Sequence, residues 1–204
     1  MHIETVDPGA GQQTLSDSRG KHTAPEAKGA ISDGRRPLAV WISTFGGVGF
    51  APLAPGTFGS AVAVVLFPAA ASLGVAGFVV LIVVVTGLGI WASERSESFF
   101  GQVDDGRIVI DEVAGQWIAL IPLLWVPGLE ISYKLSGNPH QLVLVVTAFV
   151  LFRGFDIWKP GPVRWTERRF RGGFGVMADA LVAGVFAAAV LTLIAASGVG
   201  AASA

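Results

Sequence analysis

In the stretch IDEVAGQWIALIPLLWV, residues 110–126, two adjacent acids open an otherwise uncharged apolar run. Asp111 and Glu112 stand at its start, and Asp156 and Asp179 stand at the edges of two further apolar stretches. A charged acid costs about 2.5–3.5 kcal/mol at the centre of a membrane span, so it normally faces a partner or a cavity. The pattern therefore predicts membrane helices that bring four acids to one polar site, where a divalent cation with a phosphate ligand would be a suitable partner.

The composition is typical of an integral membrane protein. Of the 204 residues, 52% are hydrophobic and only 14% are charged, whereas soluble domains carry about 25% charged residues. The formal net charge of −1 argues against nucleic acid as a partner. The chain has no cysteine, which excludes disulfides, thiolate zinc sites and a cysteine nucleophile.

The chain is predicted to contain one domain with a tail at each end. Residues 1–37 are polar and rich in glycine, and they lack the hydrophobic region of a signal peptide, so we expect a disordered tail. Residues 38–197 should form a compact membrane domain, and residues 198–204 a flexible end. The domain is expected to be all-α, with about four to five short hydrophobic helices.

The apolar runs define these helices. One short helix is possible at 38–45, and the main apolar helices are predicted at 58–72, 75–92, 112–126, 141–155 and 180–196. The first two should form a hairpin, because a straight helix over 58–92 would reach roughly 50 Å, against a hydrocarbon core of about 30 Å. The segments between the helices, including 93–110 and 156–178, are predicted to be loops.

Basic residues predict the orientation in the membrane. The 156–178 segment holds five of them, Lys159, Arg164, Arg168, Arg169 and Arg171. Five crossings with a cytoplasmic N-terminus would place this segment and the loops 46–57 and 93–111 in the cytoplasm, as the positive-inside rule favours. The candidate site would then face the cytoplasm.

Two overlapping sets of side chains are candidates for the site. The candidate catalytic residues are Asp111, Glu112, Arg153, Asp156, Lys159 and Asp179, and the four acids among them are the candidate metal ligands. The candidate phosphate-binding residues are Thr57, Ser60, Arg153, Lys159, Arg171 and Gly173. Basic side chains and glycine-rich helix starts both suit an anion.

Each of these features also has a purely structural interpretation. Asp111 and Glu112 could simply favour the helix dipole, worth about 0.3–1 kcal/mol, and Asp156 could only pair with Arg153. Thr57 or Ser60 could cap a helix, and Lys159 could anchor a helix end at the membrane surface. The glycine-rich segment around Gly173 could be a flexible turn, and the Asp-Asp-Gly sequence at 104–106 reads most simply as one.

Three blocks of sequence resemble the phosphatidylglycerophosphatase A family. They are GGVGFAPLAPGTFGS at 46–60, IVIDEVAGQWIAL at 108–120 and the FRGFDIWKPGP…GGFGVMADALVAG block at 152–184. The resemblance implies a Mg²⁺-dependent enzyme of the bacterial inner membrane that hydrolyses phosphatidylglycerophosphate to phosphatidylglycerol and inorganic phosphate. One position departs from the family pattern, since Ala180 follows Asp179 where the family usually has a second acid.

The mechanism and the class of protein leave alternatives. Carboxylates and water suit Mg²⁺, which would neutralise phosphate charge while the basic residues hold its oxygens. Direct attack by water and an aspartyl-phosphate intermediate are both open, although the chain lacks an Asp-x-Asp motif. The competing classes are a CDP-alcohol phosphotransferase, whose longer Asp-rich motif is not found, and a transporter with acids in its spans.

Overall fold

The computed structural model describes residues 37–126 and 139–197. The predicted tails therefore lie outside the described residues, apart from Pro37, and so does most of the linker between the helices predicted at 112–126 and 141–155. The described residues are helical and contain no strand, which confirms the all-α class.

Seven α-helices make up the described part of the chain. They are α1 (Leu38–Ser43), α2 (Pro55–Ala71), α3 (Gly74–Phe100), α4 (Ile110–Leu120), α5 (Pro139–Trp158), α6 (Gly161–Arg169) and α7 (Gly172–Ala196). Short 3₁₀ turns at Val48–Phe50 and Ile121–Leu124 complete the described helical structure. The five predicted apolar helices correspond to α2, α3, α4, α5 and α7.

Helix α4 lies at the centre of the fold. It packs against α2, α3, α5 and α7, and only Glu112 and Ile118 along its length are not fully buried. Trp117 joins it to two neighbours, because its indole Nε1 donates a hydrogen bond of 2.9 Å to the carbonyl of Ala63 in α2 and its ring lies 5.8 Å from that of Phe78 in α3. Residues 110–120 thus form the core helix that the other apolar helices surround.

Glycines allow α4 and α7 to approach each other closely. A Cβ on Gly115 would lie 2.5 Å from the carbonyl oxygen of Ala180, and one on Gly184 would overlap the carbonyl of Gly115. Small residues at such contacts let two backbones pack directly, as is common between membrane helices. Ala180 itself is fully buried in an apolar cluster with Phe152 and Val163. The alanine that stands where the family usually has a second acid therefore lies on a packed face of α7.

Several predicted loops are helical instead. The prediction of a loop at 93–110 was wrong for its first half, because α3 continues to Phe100. The helix ends at Gly101, whose φ of 71° suits glycine. Buried polar contacts hold this extension, since the hydroxyls of Ser96 and Ser43 lie 2.7 Å apart. The segment 93–100 also contains no glycine or proline that would end the helix earlier.

The expected loop at 156–178 was wrong as well. It contains the last turn of α5, all of α6 and the first two turns of α7. Helix α7 begins at Gly172 rather than at residue 180, because Gly173 packs against α3, where a Cβ would overlap the carbonyl of Ile90. In the opposite direction, α4 is shorter than predicted and gives way at Leu120 to a 3₁₀ turn that contains Pro122.

Three helices are long and apolar enough to cross a membrane, namely α3, α5 over its residues 141–158, and α7 over its residues 172–194. Helix α2 is apolar but shorter. Helix α4 has 11 residues, about 16 Å at 1.5 Å per residue, which is much less than a hydrocarbon core of about 30 Å. The expectation of five helical crossings is therefore corrected to three full-length candidates among the described residues.

Candidate active site

Five of the predicted site residues line one cavity. It has a volume of about 240 Å³ and lies where α4 begins, α5 ends and the second turn of α7 passes. The predicted residues in its wall are Asp111, Glu112, Asp156, Lys159 and Asp179. We call it the acid cavity. Helix ends, which are the edges of the apolar runs, thus bring together acids that are up to 68 positions apart in the sequence (179 − 111).

Asp111 and Glu112 are buried acids of the acid cavity that each keep an unpartnered oxygen. Asp111 Oδ1 and Glu112 Oε2 are buried and have no hydrogen-bond partner among the described residues. Burial, followed by repulsion from Glu112, raises the pKa of Asp111 well above its usual value. Burial also raises the pKa of Glu112 to about 7. A cation bound to these oxygens would offset both the desolvation and the repulsion.

Asp156 and Asp179 each have a basic partner. Arg153 Nη1 donates to Asp156 Oδ2 at 2.7 Å and lies 3.8 Å from Glu112 Oε1. Lys159 Nζ donates to Asp179 Oδ2, also at 2.7 Å. Lys159 has a left-handed backbone with φ of 46°, which non-glycine residues rarely adopt. The backbone is therefore strained at the residue that pairs with Asp179.

The acid cavity suits a divalent cation by its chemistry. Its donors are carboxylate oxygens, which Mg²⁺ prefers, and two of them are buried without a hydrogen-bond partner in the described parts of the chain. No three acid side chains of the described residues are already arranged as a metal-coordination sphere. The side chains present therefore fit the metal in type and in unsatisfied charge, and the assignment of four ligands stays a prediction.

The predicted phosphate-binding residues are more dispersed. Ser60 is buried in α2 and donates to the carbonyl of Gly56 at 3.0 Å, and neither it nor Thr57 lines the acid cavity. Gly173 is packed against α3, and Arg171 lines a different cavity. Arg153 and Lys159 are thus the two members of the predicted set that contact the acids of the cavity.

Gly56 is a site-shaping residue that the sequence interpretation missed. A Cβ at this position would overlap the Glu112 carboxylate and lie 3.3 Å from Nη1 of Arg153. The first sequence block therefore approaches the site through a glycine that leaves room for Glu112. No local pattern signals this contact, because Gly56 and Glu112 meet only when α2 packs on α4.

Asp104 and Asp105 were interpreted as part of a plain turn, yet both line the acid cavity. Asp105 is buried and receives hydrogen bonds from Arg107 Nε at 2.7 Å and Nη2 at 2.6 Å, which lower the pKa of Asp105. The Arg107 guanidinium also lies 3.8 Å from the ring centre of Phe100. These contacts hold the loop between α3 and α4 in place beside Asp111.

A second cavity adjoins the first. It has a volume of about 360 Å³, and Asp104 and Asp179 line both cavities. Its other walls include Glu97, Phe170 and Arg171. The Asp104 backbone N–H donates to Glu97 Oε1 at 2.8 Å, which fixes the edge between the two cavities. We call this space the side cavity.

The fold and the site together describe an all-helical protein with candidate membrane spans and a carboxylate-lined cavity at its helix ends, an arrangement suited to chemistry on a polar group of a lipid. The family model Phosphatidylglycerophosphatase A matches residues 41–195. The chain therefore belongs to the phosphatidylglycerophosphatase A family, and it is an enzyme of the phosphatase class.

Three curated relatives are similar to the chain. A protein of Bacteroides thetaiotaomicron named putative phosphatidylinositol-3-phosphatase is 42% identical over 161 residues, covering 74% of this chain and 91% of the relative. Phosphatidylglycerophosphatase A of Escherichia coli K12 is 34% identical, covering 72% and 78%. The protein of the same name from Haemophilus influenzae is 33% identical, covering 71% and 81%. No solved structure gives a significant match.

Proposed function

We propose that this enzyme hydrolyses phosphatidylglycerophosphate to phosphatidylglycerol and inorganic phosphate, with Mg²⁺, at the cytoplasmic face of a bacterial inner membrane. The observation that carries the proposal is the buried pair Asp111–Glu112. Both residues line a cavity that Lys159 borders, and each has one buried oxygen without a hydrogen-bond partner among the described residues. The names of two of the relatives support the lipid substrate.

The residues of the acid cavity divide between the metal and the phosphate. Asp111 and Glu112, with Asp156 and Asp179, would hold Mg²⁺, which when bound neutralises phosphate charge and activates water. Lys159 borders the same cavity and can turn its ammonium from Asp179 to a phosphate oxygen. Such charge-assisted contacts are stronger than neutral hydrogen bonds. We favour direct attack by water, because the chain has no Asp-x-Asp sequence.

Arg153 would serve as the link between the acids. It pairs with Asp156 and approaches Glu112, while its Nε is buried without a hydrogen-bond partner among the described residues. A guanidinium with an unused donor beside the carboxylates is suited to a phosphate oxygen. Its contact with Glu112 also fixes the position of that carboxylate relative to α5.

Phosphatidylinositol 3-phosphate is a second candidate substrate, because the relative with 42% identity is named putative phosphatidylinositol-3-phosphatase. Both lipids carry a phosphate monoester on a polyol that a phosphodiester joins to diacylglycerol. The acid cavity would receive the monoester in either case. A direct comparison of kcat/KM for the two lipids decides between them.

The purified protein in detergent should release inorganic phosphate from phosphatidylglycerophosphate only when Mg²⁺ is present. A chelator should lower the rate at least about a hundredfold, roughly 2.7 kcal/mol in barrier terms, and added Mg²⁺ should restore it. The measurement is phosphate release, with thermal unfolding recorded in the same buffers to show that the fold persists. Full activity in chelator would contradict the metal assignment, and no release from either lipid would contradict the proposed function.

The site should face one side of the membrane only. Single cysteines at Gln102 and Gly161 flank the acid cavity at the ends of α3 and α5 and should label from the cytoplasm with a membrane-impermeant thiol reagent. A cysteine at Ser72, at the opposite end of α3, should label from the other side. All three positions are exposed, and the chain has no native cysteine to interfere. Labelling of Gln102 and Gly161 from opposite sides would contradict the model of one shared face.

A further inference from the structure

We propose that the side cavity binds the polyol and the phosphodiester of the lipid headgroup, with Arg171 facing the diester. The inference rests on the proposed function, since it extends the substrate from the acid cavity into its neighbour. It would make the enzyme selective for lipids in which a polyol separates the monoester from a second phosphate.

The two cavities are placed for a substrate that occupies both. Asp104 and Asp179 form walls of each, so a molecule with its terminal phosphate in the acid cavity can extend directly into the side cavity. The side cavity is the larger, at about 360 Å³ against about 240 Å³. The smaller space therefore fits a phosphate group with its cation, and the larger one fits the remainder of a headgroup.

The cations are divided between the cavities. Of these two cavities, Lys159 lines the acid cavity and Arg171 lines the side cavity. Arg171 is exposed, and no ion pair joins it to another side chain in the part of the chain that the structure describes. In the proposed binding mode, a substrate with two phosphates joined by a short polyol contacts Lys159 with one phosphate and Arg171 with the other.

The other side chains favour a diester over a second monoester. Glu97, Asp104 and Asp179 share the side cavity with Arg171, and this excess of acids disfavours a doubly charged phosphate. A diester carries a single charge, and the hydroxyl of the polyol can donate to a carboxylate of Asp104 or Glu97. Phe170 and Val176 supply apolar walls for the carbon skeleton.

The test compares two soluble probes as inhibitors of lipid hydrolysis. Inorganic phosphate represents the monoester, and glycerophosphoglycerol represents the diester and polyol. Arg171→Gln should lower kcat/KM for phosphatidylglycerophosphate about tenfold or more and weaken inhibition by glycerophosphoglycerol by a similar factor. Inhibition by inorganic phosphate should change by less than about twofold. Arg171→Lys should retain part of the wild-type inhibition by glycerophosphoglycerol.

Two further variants complete the experiment. Arg164→Gln removes an exposed arginine of α6 outside both cavities and should behave as wild type. Val103→Trp should partly fill the side cavity, because Val103 lines that cavity and not the acid cavity. It should therefore weaken inhibition by glycerophosphoglycerol but not inhibition by inorganic phosphate. The proposal is overturned if Arg171→Gln weakens inhibition by both probes equally or by neither of them. It is also overturned if glycerophosphoglycerol does not inhibit the wild-type enzyme.

These results separate the inference from the proposed function. A wild-type protein that releases no phosphate from the lipid refutes the proposed function, and the inference that rests on it falls too. The inference alone is refuted if the wild-type protein hydrolyses the lipid and the Arg171→Gln variant shows the same ratio of inhibition by the two probes as the wild type.

Discussion

Replacing Asp111 with Asn should abolish phosphate release while leaving the protein at least as stable as the wild type. We expect kcat/KM to fall roughly a thousandfold, about 4 kcal/mol of transition-state stabilisation. The reason is that Asn keeps the size of the side chain but removes the charge that would hold the cation. Stability should not fall, because Asp111 is buried and the charged groups that act on it are Glu112, Asp179 and Asp156, all of them acids.

The sign of the stability change separates a functional acid from a structural one. A buried charge without a basic partner is destabilising, so its removal should leave the thermal midpoint unchanged or raise it. Asp105→Asn is the matched control, since Asp105 lines the same cavity but is held by Arg107. That variant should unfold at a lower temperature. Phosphate release and thermal unfolding are measured for both variants.

A different outcome for Asp111 would refute its assigned role. If Asp111→Asn kept more than about a tenth of the activity, less than about 1.4 kcal/mol would be lost, and Asp111 would not be a principal ligand. If the variant also unfolded at a lower temperature, a helix-dipole role for the carboxylate would be preferred.

Replacing Gly115 with Ala should destabilise the whole fold. The added methyl would lie 2.5 Å from the Ala180 carbonyl oxygen and 2.6 Å from Cε2 of Phe152, so α4 and α7 must separate or Phe152 must leave its position. Overpacking of this kind costs about 1–3 kcal/mol, occasionally more. A large part of the usual stability of about 5–15 kcal/mol is then lost. The measurement is thermal unfolding in detergent, together with the yield of folded protein.

Gly87→Ala is the control for helix propensity. Gly87 lies inside α3, and a Cβ there would meet no atom of the described residues within 4 Å. Alanine should therefore stabilise the helix, by about 0.5–1 kcal/mol, since it loses less conformational freedom than glycine. If Gly115→Ala were as stable as Gly87→Ala, the close α4–α7 contact would not be a requirement of the fold.

Local sequence was sufficient for the class of fold and for most of the candidate site. The apolar runs form the core segments of the helices, so the existence of these helices could be predicted from the positions of apolar residues along the chain. The acids stand at the edges of those runs, and five of the predicted site residues line the acid cavity because helix ends meet there. The family assignment, now supported by the match over 41–195, rested on blocks of adjacent residues.

The helix boundaries could not be predicted in the same way. Residues 93–100, most of which are polar, are helical, and a buried contact between Ser96 and Ser43 joins this part of α3 to α1. The glycines after Gly172 are helical because Gly173 packs on Ile90. Glycine disfavours the start of α7 locally, and packing against a distant segment outweighs that preference. Residues 93–100 contain no helix breaker, and the helix there was missed because the segment is mostly polar.

The all-helical class, the apolar segments and the acids at their edges could therefore be predicted from the sequence. These depend on residue type and on neighbours along the chain. Only the packing of the helices gives Asp156 and Asp179 basic partners while it leaves one oxygen each of Asp111 and Glu112 without a hydrogen-bond partner among the described residues. It also brought Gly56 to Glu112 and placed Arg171 in the side cavity. Burial and charge compensation arise only between helices that are distant in sequence, so no local pattern carries them.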